Sequence, residues 1–158
     1  MIVAVGCDHA GFPLKARVVR ELEVAGHRVL DCGCHDTTPS DYPDFALAVA
    51  SAVIERRVDR GILVCGSGVG ASVAANKVIG VRAALCHDTF SARQGVEDDD
   101  MNVLCLGARV IGVEAAAECI RAFLGARFSN VERHARRLAK VRAIEADARA
   151  GKFDRNSC

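Results

Sequence analysis

The sequence predicts an α/β fold in which helices cover both faces of a five-stranded parallel sheet. Short apolar runs, which are typical of strands buried on both faces, alternate with segments whose apolar residues recur at helical spacing. The connections between them are short, and strands that alternate with helices in this way pair in parallel. No linker, low-complexity segment or internal repeat interrupts the 158 residues. We therefore expect residues 1–158 to form a single domain.

The first two predicted strands each end in a polar stretch. Residues 2–7 form a continuous apolar run, and Pro13 suits the first turn of the helix that follows. Gly26 ends that helix. Residues 27–32 are the second strand, and the polar residues 33–41 form the loop after it.

The middle of the chain repeats this order. Pro43 opens the second helix, whose apolar residues continue at helical spacing to Ile54. Residues 61–65 form the third strand, which leads through a glycine-rich turn into a helix that ends at about Asn76. Residues 81–86 form the fourth strand.

The last third of the chain supplies one further strand and ends in a helix. Residues 91–96 form a short helix, residues 102–106 the fifth strand, and residues 113–124 a longer helix. The tail, residues 131–149, is helical and strongly basic near its start. Because no strand follows this last helix, we expect it to pack on a neighbouring subunit.

Composition and charge exclude several classes of partner. The net charge is +1, Trp is absent and Tyr occurs once, which gives no reason to expect a nucleic acid or a membrane surface as partner. No apolar run approaches the roughly 20 residues of a membrane span. The N-terminal residues MIVAVGCDHAG lack the basic region and cleavage site of a signal peptide, so we expect a cytoplasmic protein. Its eight scattered cysteines are then expected to be reduced thiols.

The most informative stretch is RGILVCGSGVGAS, residues 60–72, in which an apolar run ends on Cys65. The glycine turn that follows consists of Gly66, Ser67, Gly68, Val69 and Gly70. A strand, a turn and a helix start in this order place Cys65 beside the free N-terminal amides of a helix, which favour an anion and a thiolate alike. Cys65 is therefore a candidate nucleophile or base beside an anion hole. The alternative is a sharp turn that needs glycine, with Cys65 as a small apolar filler.

Other chemistry-bearing residues follow the remaining predicted strands. Asp8 and His9 follow the first strand, His87 and Asp88 the fourth, and Arg109 the fifth. Ligands of parallel α/β sheets bind outside the carboxyl ends of the strands, so we expect these residues close to the glycine turn.

Three familiar phosphate-binding motifs do not fit the glycine turn. A dinucleotide site needs G-x-G-x-x-G, whereas Gly66, Gly68 and Gly70 are spaced one residue too closely. A Walker A loop would end in Gly-Lys-Ser/Thr, which is missing. A cysteine phosphatase would carry Arg where this chain has Ala71.

A zinc site is also not expected. Cys32, Cys34 and His35 lie close enough to suggest one, but no further ligand pair with the spacing of a zinc finger follows. We therefore predict neither a metal nor a cofactor.

Three arginines are candidates for binding a phosphate group. Arg109, Arg133 and Arg137 carry planar guanidinium groups that match phosphate oxygens in pairs, and the last two share one helix face. A solvated basic helix face is the alternative. The residues themselves leave open whether a phosphate binds at the glycine turn or at the arginines.

Six segments of the chain form a recognisable series. They are GCDHAG (6–11), DYPD (41–44), CGSGVG (65–70), ANK with RAAL (75–85), NVLCLGARVIG (102–112) and RHARR (133–137). Together they closely resemble the type B ribose-5-phosphate isomerases, a family that includes galactose-6-phosphate isomerase subunits and allose-6-phosphate isomerases. The resemblance extends from Met1 to about Lys140.

The resemblance implies both a fold and an activity. It implies a Rossmann-like three-layer fold and a homodimer with active sites at the subunit interface, with a tetramer as the alternative. The implied activity is cofactor-free interconversion of ribose 5-phosphate and ribulose 5-phosphate in the pentose phosphate pathway.

The resemblance also implies roles for individual residues. Cys65 matches the base that moves a proton between carbons 2 and 1, and the N–H groups of the glycine turn face the enediolate oxygen. One branch of the family uses a Glu at the position of Ala71, so this chain resembles the cysteine branch. Asp8 and His9 match residues that contact the sugar's hydroxyls and ring oxygen.

The phosphate group is assigned by the resemblance to the arginines. Arg109, Arg133 and Arg137 match the family's phosphate clamp, and His134 lies close by. This assignment leaves the glycine turn for the oxyanion.

The chain departs from the family pattern just before the fifth strand. Many members carry a His–Asn pair there, in which the His donates the proton that opens the sugar ring, whereas this chain has Asp98 and Asp99. An aspartic acid with the ordinary pKa of about 3.9 is a poor acid at pH 7, unless crowded carboxylates raise that pKa. We expect ring opening to be shared between His9 and Asp98. The alternatives are a proton from His134, with Asp98 only accepting hydrogen bonds, or an acidic surface loop without a catalytic part.

Two other functions remain open at this point. The enzyme could act by the same mechanism on a six-carbon sugar phosphate, such as allose 6-phosphate or galactose 6-phosphate, or on a free aldose. From a different class, the chain could be a phosphosugar-binding module without catalytic activity. An intact Cys65 and an unbroken glycine turn argue against that module.

Overall fold

The computed structural model describes residues 1–152 and contains the predicted five-stranded parallel sheet. Its strands are β1 (Ile2–Cys7), β2 (Arg28–Asp31), β3 (Arg60–Cys65), β4 (Ala83–Leu85) and β5 (Val103–Gly107). Its helices are α1 (Phe12–Val24), α2 (Tyr42–Ile54), α3 (Val69–Ala75), α4 (Thr89–Asp99), α5 (Val113–Gly125) and α6 (Glu132–Arg149). The strand order across the sheet is β2-β1-β3-β5-β4. The predicted α/β fold is therefore confirmed.

Helices pack on both faces of the sheet and form two separate cores. Successive side chains of a strand point to opposite faces, so Ile62 and Val64 of β3 face one core while Leu63 and Cys65 face the other. The first core contains α1, α4 and α5, and the second contains α2 and α3. The three-layer arrangement follows from this division.

The register of the central strands brings their carboxyl ends to one edge of the sheet. Cys7 of β1 pairs with Val64 of β3, and Cys65 of β3 pairs with Gly107 of β5. Because all pairs are parallel, the residues that follow these strands begin at nearly the same level. This edge is where the predicted chemistry-bearing residues leave the sheet.

Two strands are shorter than the sequence predicts. The predicted second strand, residues 27–32, is reduced to Arg28–Asp31, and the fourth, residues 81–86, to Ala83–Leu85. In the fourth, the backbone N–H of Arg82 donates to the Asn102 side chain at 2.7 Å. This side-chain contact occupies the Arg82 N–H at the start of the edge strand β4, while the Arg82 carbonyl still accepts from the Val103 N–H.

The helix predicted over residues 91–96 is longer, and this changes the place of the acidic residues. The Asp88 carboxylate accepts a hydrogen bond from the Ser91 N–H at 2.7 Å and caps the helix at Thr89. The helix continues to Asp99, because pairs such as Arg93 and Glu97, four residues apart, support its acidic end. An acidic loop at these positions is therefore wrong, since Asp98 and Asp99 form the last turn of α4, whereas the absence of a catalytic part stays a prediction.

The C-terminal helix predicted over residues 131–149 is present as α6. Its buried side chains in the described structure are His134 and Leu138, whereas Val141 and Ile144 are exposed. Exposed apolar residues on such a helix agree with packing on a second subunit, which stays a prediction. None of the described helices is long and apolar enough to cross a membrane.

Gly11 is required by a close contact that can be tested directly. It is the N-cap of α1 with an ordinary φ of −84°, but a Cβ there would lie 2.1 Å from the Val64 carbonyl oxygen. We expect Gly11→Ala to lower the free energy of unfolding by roughly 2–3 kcal/mol, because β3 cannot move away from the added methyl group. Urea denaturation measures the change.

Gly112 provides the matched control. It is the N-cap of α5 with a φ of −71°, and a Cβ there would have no atom within 4 Å. Gly112→Ala should change the free energy of unfolding by less than about 1 kcal/mol. Equal destabilisation by the two substitutions would contradict the proposed steric cause.

Candidate active site

A cavity of about 400 Å³ opens at the carboxyl ends of β1, β3 and β5. It is lined by Asp8, His9, Ala10, Tyr42, Cys65, Gly66, Ser67, Gly70, Arg109 and Val110. The structure thus places Asp8, His9, Arg109 and much of the glycine turn around Cys65. Gly68 and Val69 belong to the turn but do not line the cavity.

Cys65 sits at the end of β3, where the backbone of the glycine turn surrounds its sulfur. The Gly68 N–H donates to the Cys65 Sγ at 3.1 Å. Gly68 has a φ of 81°, which glycine adopts without strain, and a Cβ there would lie 2.3 Å from a methyl group of Leu85. This hydrogen bond fixes the direction of the sulfur beside the backbone amides of the turn. The side chain is therefore suited to act as a base.

Arg109 is fixed to the glycine turn by the backbone of the loop after β5. The Ala108 N–H donates to the Cys65 carbonyl at 2.9 Å, and the Arg109 N–H donates to the Gly66 carbonyl at 3.0 Å. The Arg109 side chain passes within contact distance of Gly66, whose added Cβ would lie 3.7 Å from the arginine Cδ. The positive charge is thus held beside the turn that carries the sulfur.

Asp8 and His9 follow β1 and are held by different partners. The Asp8 carboxylate is buried and accepts from the Gly11 N–H at 2.8 Å. The His9 Nδ1 lies 3.1 Å from both the N–H and the carbonyl oxygen of Ser40, and the His9 N–H donates to the Ser40 Oγ. The Ser40 carbonyl can accept from a protonated Nδ1, and the Ser40 N–H can donate to an unprotonated one. Either arrangement leaves Nε2 available to a ligand.

His87 and Asp88, expected close to the glycine turn, do not line the cavity. The His87 Nε2 accepts from the Gly107 N–H at 2.9 Å and joins the ends of β4 and β5. Asp88 caps α4, as described above. Both residues support the backbone around the site.

Asp98, Asp99, Arg133 and Arg137 lie outside this cavity. Asp98 is instead part of a cluster between α4 and α6, here called the histidine cluster, which consists of Asp98, Ser129, Arg133 and His134. The Asp98 carboxylate lies 3.3 Å from the Nδ1 of the buried His134, whose Nε2 accepts from the Arg133 Nε at 2.9 Å. Arg133 and Arg137 are exposed near the start of α6.

Four lining or supporting residues were missed by the sequence analysis, and Ala10 beside His9 is one of them. Tyr42 lines the cavity and packs so closely on the glycine turn that a Cβ at Gly70 would lie 2.8 Å from its ring. Val110 lines the cavity as well, and Ser40 holds His9. Tyr42 belongs to the DYPD segment and Ser40 directly precedes it, but nothing in their spacing indicated a contact with the glycine turn or with His9.

A second, more apolar groove of about 680 Å³ lies between α6 and the β4 edge of the sheet. Of the predicted site residues it contains Asp99 alone. Exposed apolar side chains also occur on the elements beside β4, namely Val69, Val73, Leu85 and Phe90. Within residues 1–152, no three His, Cys, Asp or Glu side chains come together as a possible metal site.

Comparison with known proteins shows one family over most of the chain. Residues 3–141 match the family described as Ribose/Galactose Isomerase. Ribose-5-phosphate isomerase B of Escherichia coli is 45% identical over 143 residues, which cover 90% of this chain and 95% of the relative. D-erythrulose-4-phosphate isomerase of Pectobacterium atrosepticum is 43% identical over 127 residues, covering 80% and 84%.

The same likeness holds for solved structures. Ribose-5-phosphate isomerase B of Clostridium thermocellum superimposes with a TM-score of 0.91 at 43% identity, covering 94% of this chain and 99% of that one. The fold and the order of its elements are therefore shared with type B ribose-5-phosphate isomerases.

Burial raises the pKa of three other thiols in the interior. Burial, together with the neighbouring Cys34 thiol, raises the pKa of Cys7 to about 12. Burial raises the pKa of Cys86 to about 11 and that of Cys105 well above its ordinary value. These three cysteines are therefore protonated at neutral pH.

These raised pKa values predict which cysteines iodoacetamide modifies last. At pH 7.5 we expect Cys65 to be alkylated before Cys7, Cys86 and Cys105, because it lines the cavity and its sulfur accepts an N–H bond. Since only the thiolate reacts, labelling of Cys86 should rise about tenfold per pH unit below its pKa. Peptide mapping by mass spectrometry measures each site, and labelling of Cys86 as fast as Cys65 at pH 7.5 would contradict this order.

Proposed function

The chain belongs to the Ribose/Galactose Isomerase family, and we propose that it interconverts D-ribose 5-phosphate and D-ribulose 5-phosphate. The observation that supports this most directly is the cavity in which Cys65 meets the glycine turn, with Asp8, His9 and Arg109 around it. The cavity occurs in a fold shared at 43–45% identity with type B ribose-5-phosphate isomerases.

The proposed mechanism is a proton transfer through a cis-enediolate. The Cys65 thiolate removes the proton from carbon 2, and the electron pair moves to the carbonyl oxygen at carbon 1. Backbone N–H groups of the glycine turn stabilise the negative oxygen. A proton then passes from the hydroxyl at carbon 2 to the oxygen at carbon 1, the thiol returns its proton to carbon 1, and the carbonyl group is left at carbon 2. Atoms and charge balance without a metal or a redox cofactor, so we propose that none is used.

His9 and Asp8 are proposed to bind and open the sugar ring. The Nδ1 of His9 is occupied by Ser40, so its Nε2 is free to give a proton to the ring oxygen. The buried Asp8 carboxylate, held by Gly11, would accept a hydrogen bond from a sugar hydroxyl. The geometry of this cavity does not test the share of ring opening that the sequence assigns to Asp98, because Asp98 lies outside the cavity.

We propose that the site is completed by a second copy of the chain. Cys65 and Arg109 line the cavity, whereas Arg133 and Arg137, the other arginines of the proposed clamp, lie outside it on α6. The exposed apolar residues on α3, β4 and α4 offer a surface for such a homodimer, with residues 131–149 packing on the partner. Arg133 and Arg137, with Asp98 and Asp99 behind them, would then reach the cavity of the other subunit. A tetramer would be a pair of such dimers.

The metabolic setting follows from the substrate. An enzyme that interconverts these two five-carbon sugar phosphates acts in the pentose phosphate pathway. We propose that it does so in the cytoplasm. The single domain proposed for residues 1–158 includes residues 153–158, which lie outside the described structure.

The nearest alternative keeps the mechanism and changes the sugar. Two relatives above 40% identity are named after different substrates, one a five-carbon and the other a four-carbon sugar phosphate. In addition, Asp98 and Asp99 replace a pair that contacts substrate in the resembled family. Assays with four-, five- and six-carbon sugar phosphates and with free aldoses separate these substrates. A phosphosugar-binding module without activity would bind ribose 5-phosphate but not exchange its C2 proton with solvent.

Removal of the proposed base gives the direct test of function. In the presence of a chelator, purified protein should form ribulose 5-phosphate, and Cys65→Ala should lower kcat by roughly 10³-fold or more because no other base lies between carbons 1 and 2. Cys32→Ala, a half-buried cysteine outside the cavity, is the control and should keep wild-type activity. Ribose 5-phosphate should also protect Cys65 from iodoacetamide. Activity that survives Cys65→Ala would exclude Cys65 as the base.

Complementation between inactive variants tests the shared site. Cys65→Ala and Arg133→Ala dimers should each be nearly inactive, whereas co-expression of the two chains should restore about a quarter of wild-type activity, since half of the dimers then hold one intact site of two. The tagged mixed dimer can be purified and assayed. If each chain contained a complete site, every site of the mixed dimer would carry one substitution and no activity would return.

A further inference from the structure

The histidine cluster connects an acidic residue of α4 to a basic residue of α6 through one buried imidazole. His134 is 4% exposed, so it has no open path to a ligand. Its Nδ1 lies 2.7 Å from the Ser129 Oγ and 3.3 Å from the Asp98 Oδ1. Its Nε2 lies 2.9 Å from the Arg133 Nε.

These contacts determine which nitrogen of His134 carries the proton. An arginine Nε is always a donor, so the Nε2 of His134 must accept from it. The ring proton is therefore on Nδ1, where the Ser129 Oγ is its hydrogen-bond partner and the Asp98 carboxylate is a charged neighbour at 3.3 Å. A carboxylate in this position favours the Nδ1–H form and turns the ring so that Nε2 faces the arginine.

Asp98 is held in place from its own helix. Its Oδ2 accepts from the Gln94 Nε2 at 2.8 Å, and its Oδ1 faces His134. One carboxylate oxygen thus accepts an N–H hydrogen bond, and the other lies against the imidazole. Asp98 is therefore fixed between α4 and α6, outside the cavity that holds Cys65.

Arg133 is the exposed member of the histidine cluster. Its Nε is fixed by His134, but its side chain is exposed, and no carboxylate of residues 1–152 pairs with its two terminal nitrogens. Two neighbouring arginines of α6 differ, since Arg136 pairs with Glu132 and Arg142 lies 3.8 Å from Asp100. Arg133 is thus oriented through Nε while the edge that grips phosphate oxygens stays free. An arginine fixed in advance loses less side-chain entropy when an anion binds.

We propose that Asp98 is a positioning residue that acts through His134 to orient Arg133 toward the substrate phosphate, and that it does not supply the ring-opening proton. This inference rests on the proposed function, in which Arg133 belongs to the phosphate clamp. Ring opening is then left to His9. The Asp98 that replaces the family's His thus supports phosphate binding rather than proton transfer.

The test compares Asp98→Ala and Asp98→Asn with the neighbouring Glu97→Ala. Glu97 carries the same charge in the same helical turn but pairs with Arg93, so it is the matched control. We expect Asp98→Ala to raise the KM for ribose 5-phosphate and the Kd for inorganic phosphate by the same factor, roughly 3- to 10-fold, with kcat changed less than about twofold. Asp98→Asn keeps an acceptor oxygen for the Nδ1–H and should recover most of the lost affinity. Glu97→Ala should change none of these values.

A double-mutant cycle with Arg133→Ala shows whether the two residues act together. Asp98→Ala should add little to the loss caused by Arg133→Ala, because the imidazole then has no arginine to orient. Where Asp98→Ala proves unstable, His134→Gln offers a second test, since its Oε1 can accept from the Arg133 Nε without any carboxylate behind it. His134→Gln should keep near wild-type phosphate affinity, whereas His134→Leu should lose it.

Two results would overturn the inference. One is a large fall in kcat on ring-closed substrate, with unchanged phosphate Kd, in both Asp98→Ala and Asp98→Asn, which would identify Asp98 as the acid. The other is an unchanged phosphate Kd in Asp98→Ala where Arg133→Ala weakens it. Calorimetry with inorganic phosphate needs no turnover. A wild-type protein that forms no ribulose 5-phosphate but shows the expected phosphate pattern would therefore contradict the proposed function and still support the inference.

Discussion

The site depends on the close approach of the end of β5 to the glycine turn. A Cβ at Gly107 would lie 2.4 Å from the Ser67 carbonyl oxygen, and the loop after Gly107 donates two backbone hydrogen bonds to Cys65 and Gly66. The direction of the Cys65 sulfur and the start of the Arg109 side chain are therefore set by backbone geometry. A backbone framework of this kind holds reacting groups in place with little freedom left to lose on binding.

Much of the fold could be predicted because hydrophobic periodicity locates the strands and helices. Glycine and proline positions indicate where many of them begin or end. Five apolar runs of strand length, each followed by helical spacing, correspond to β1 to β5. The misplaced ends have tertiary causes that no local pattern shows. The fourth strand is shortened by the Asn102 side chain from a later segment, and α4 extends to Asp99 through side-chain pairs along its acidic end. A run of charged residues considered alone predicts a loop. The pairs that such residues form four positions apart favour a helix instead.

The site could be predicted in part for a similar reason. Residues that directly follow parallel strands must meet at one edge, so Asp8, His9, Cys65 and Arg109 could be grouped before the structure was known. The partners of a side chain cannot be read in this way. His87 follows a strand but supports the Gly107 backbone, and Asp98 meets His134, 36 positions later, only because α6 packs on α4. Resemblance to a family indicated that Asp98 was unusual, but its contacts had to come from three-dimensional packing.

The packing of the glycines also determines where sugar preference can be engineered. Gly11, Gly68 and Gly107 would each place an added Cβ under 2.5 Å from a neighbouring atom, so substitutions at these positions destabilise the fold. Tyr42 and Val110 line the same cavity with 40% and 60% of their surface exposed. Randomising those two rim positions would reshape the space for longer or shorter sugar chains while the catalytic framework beneath stays intact.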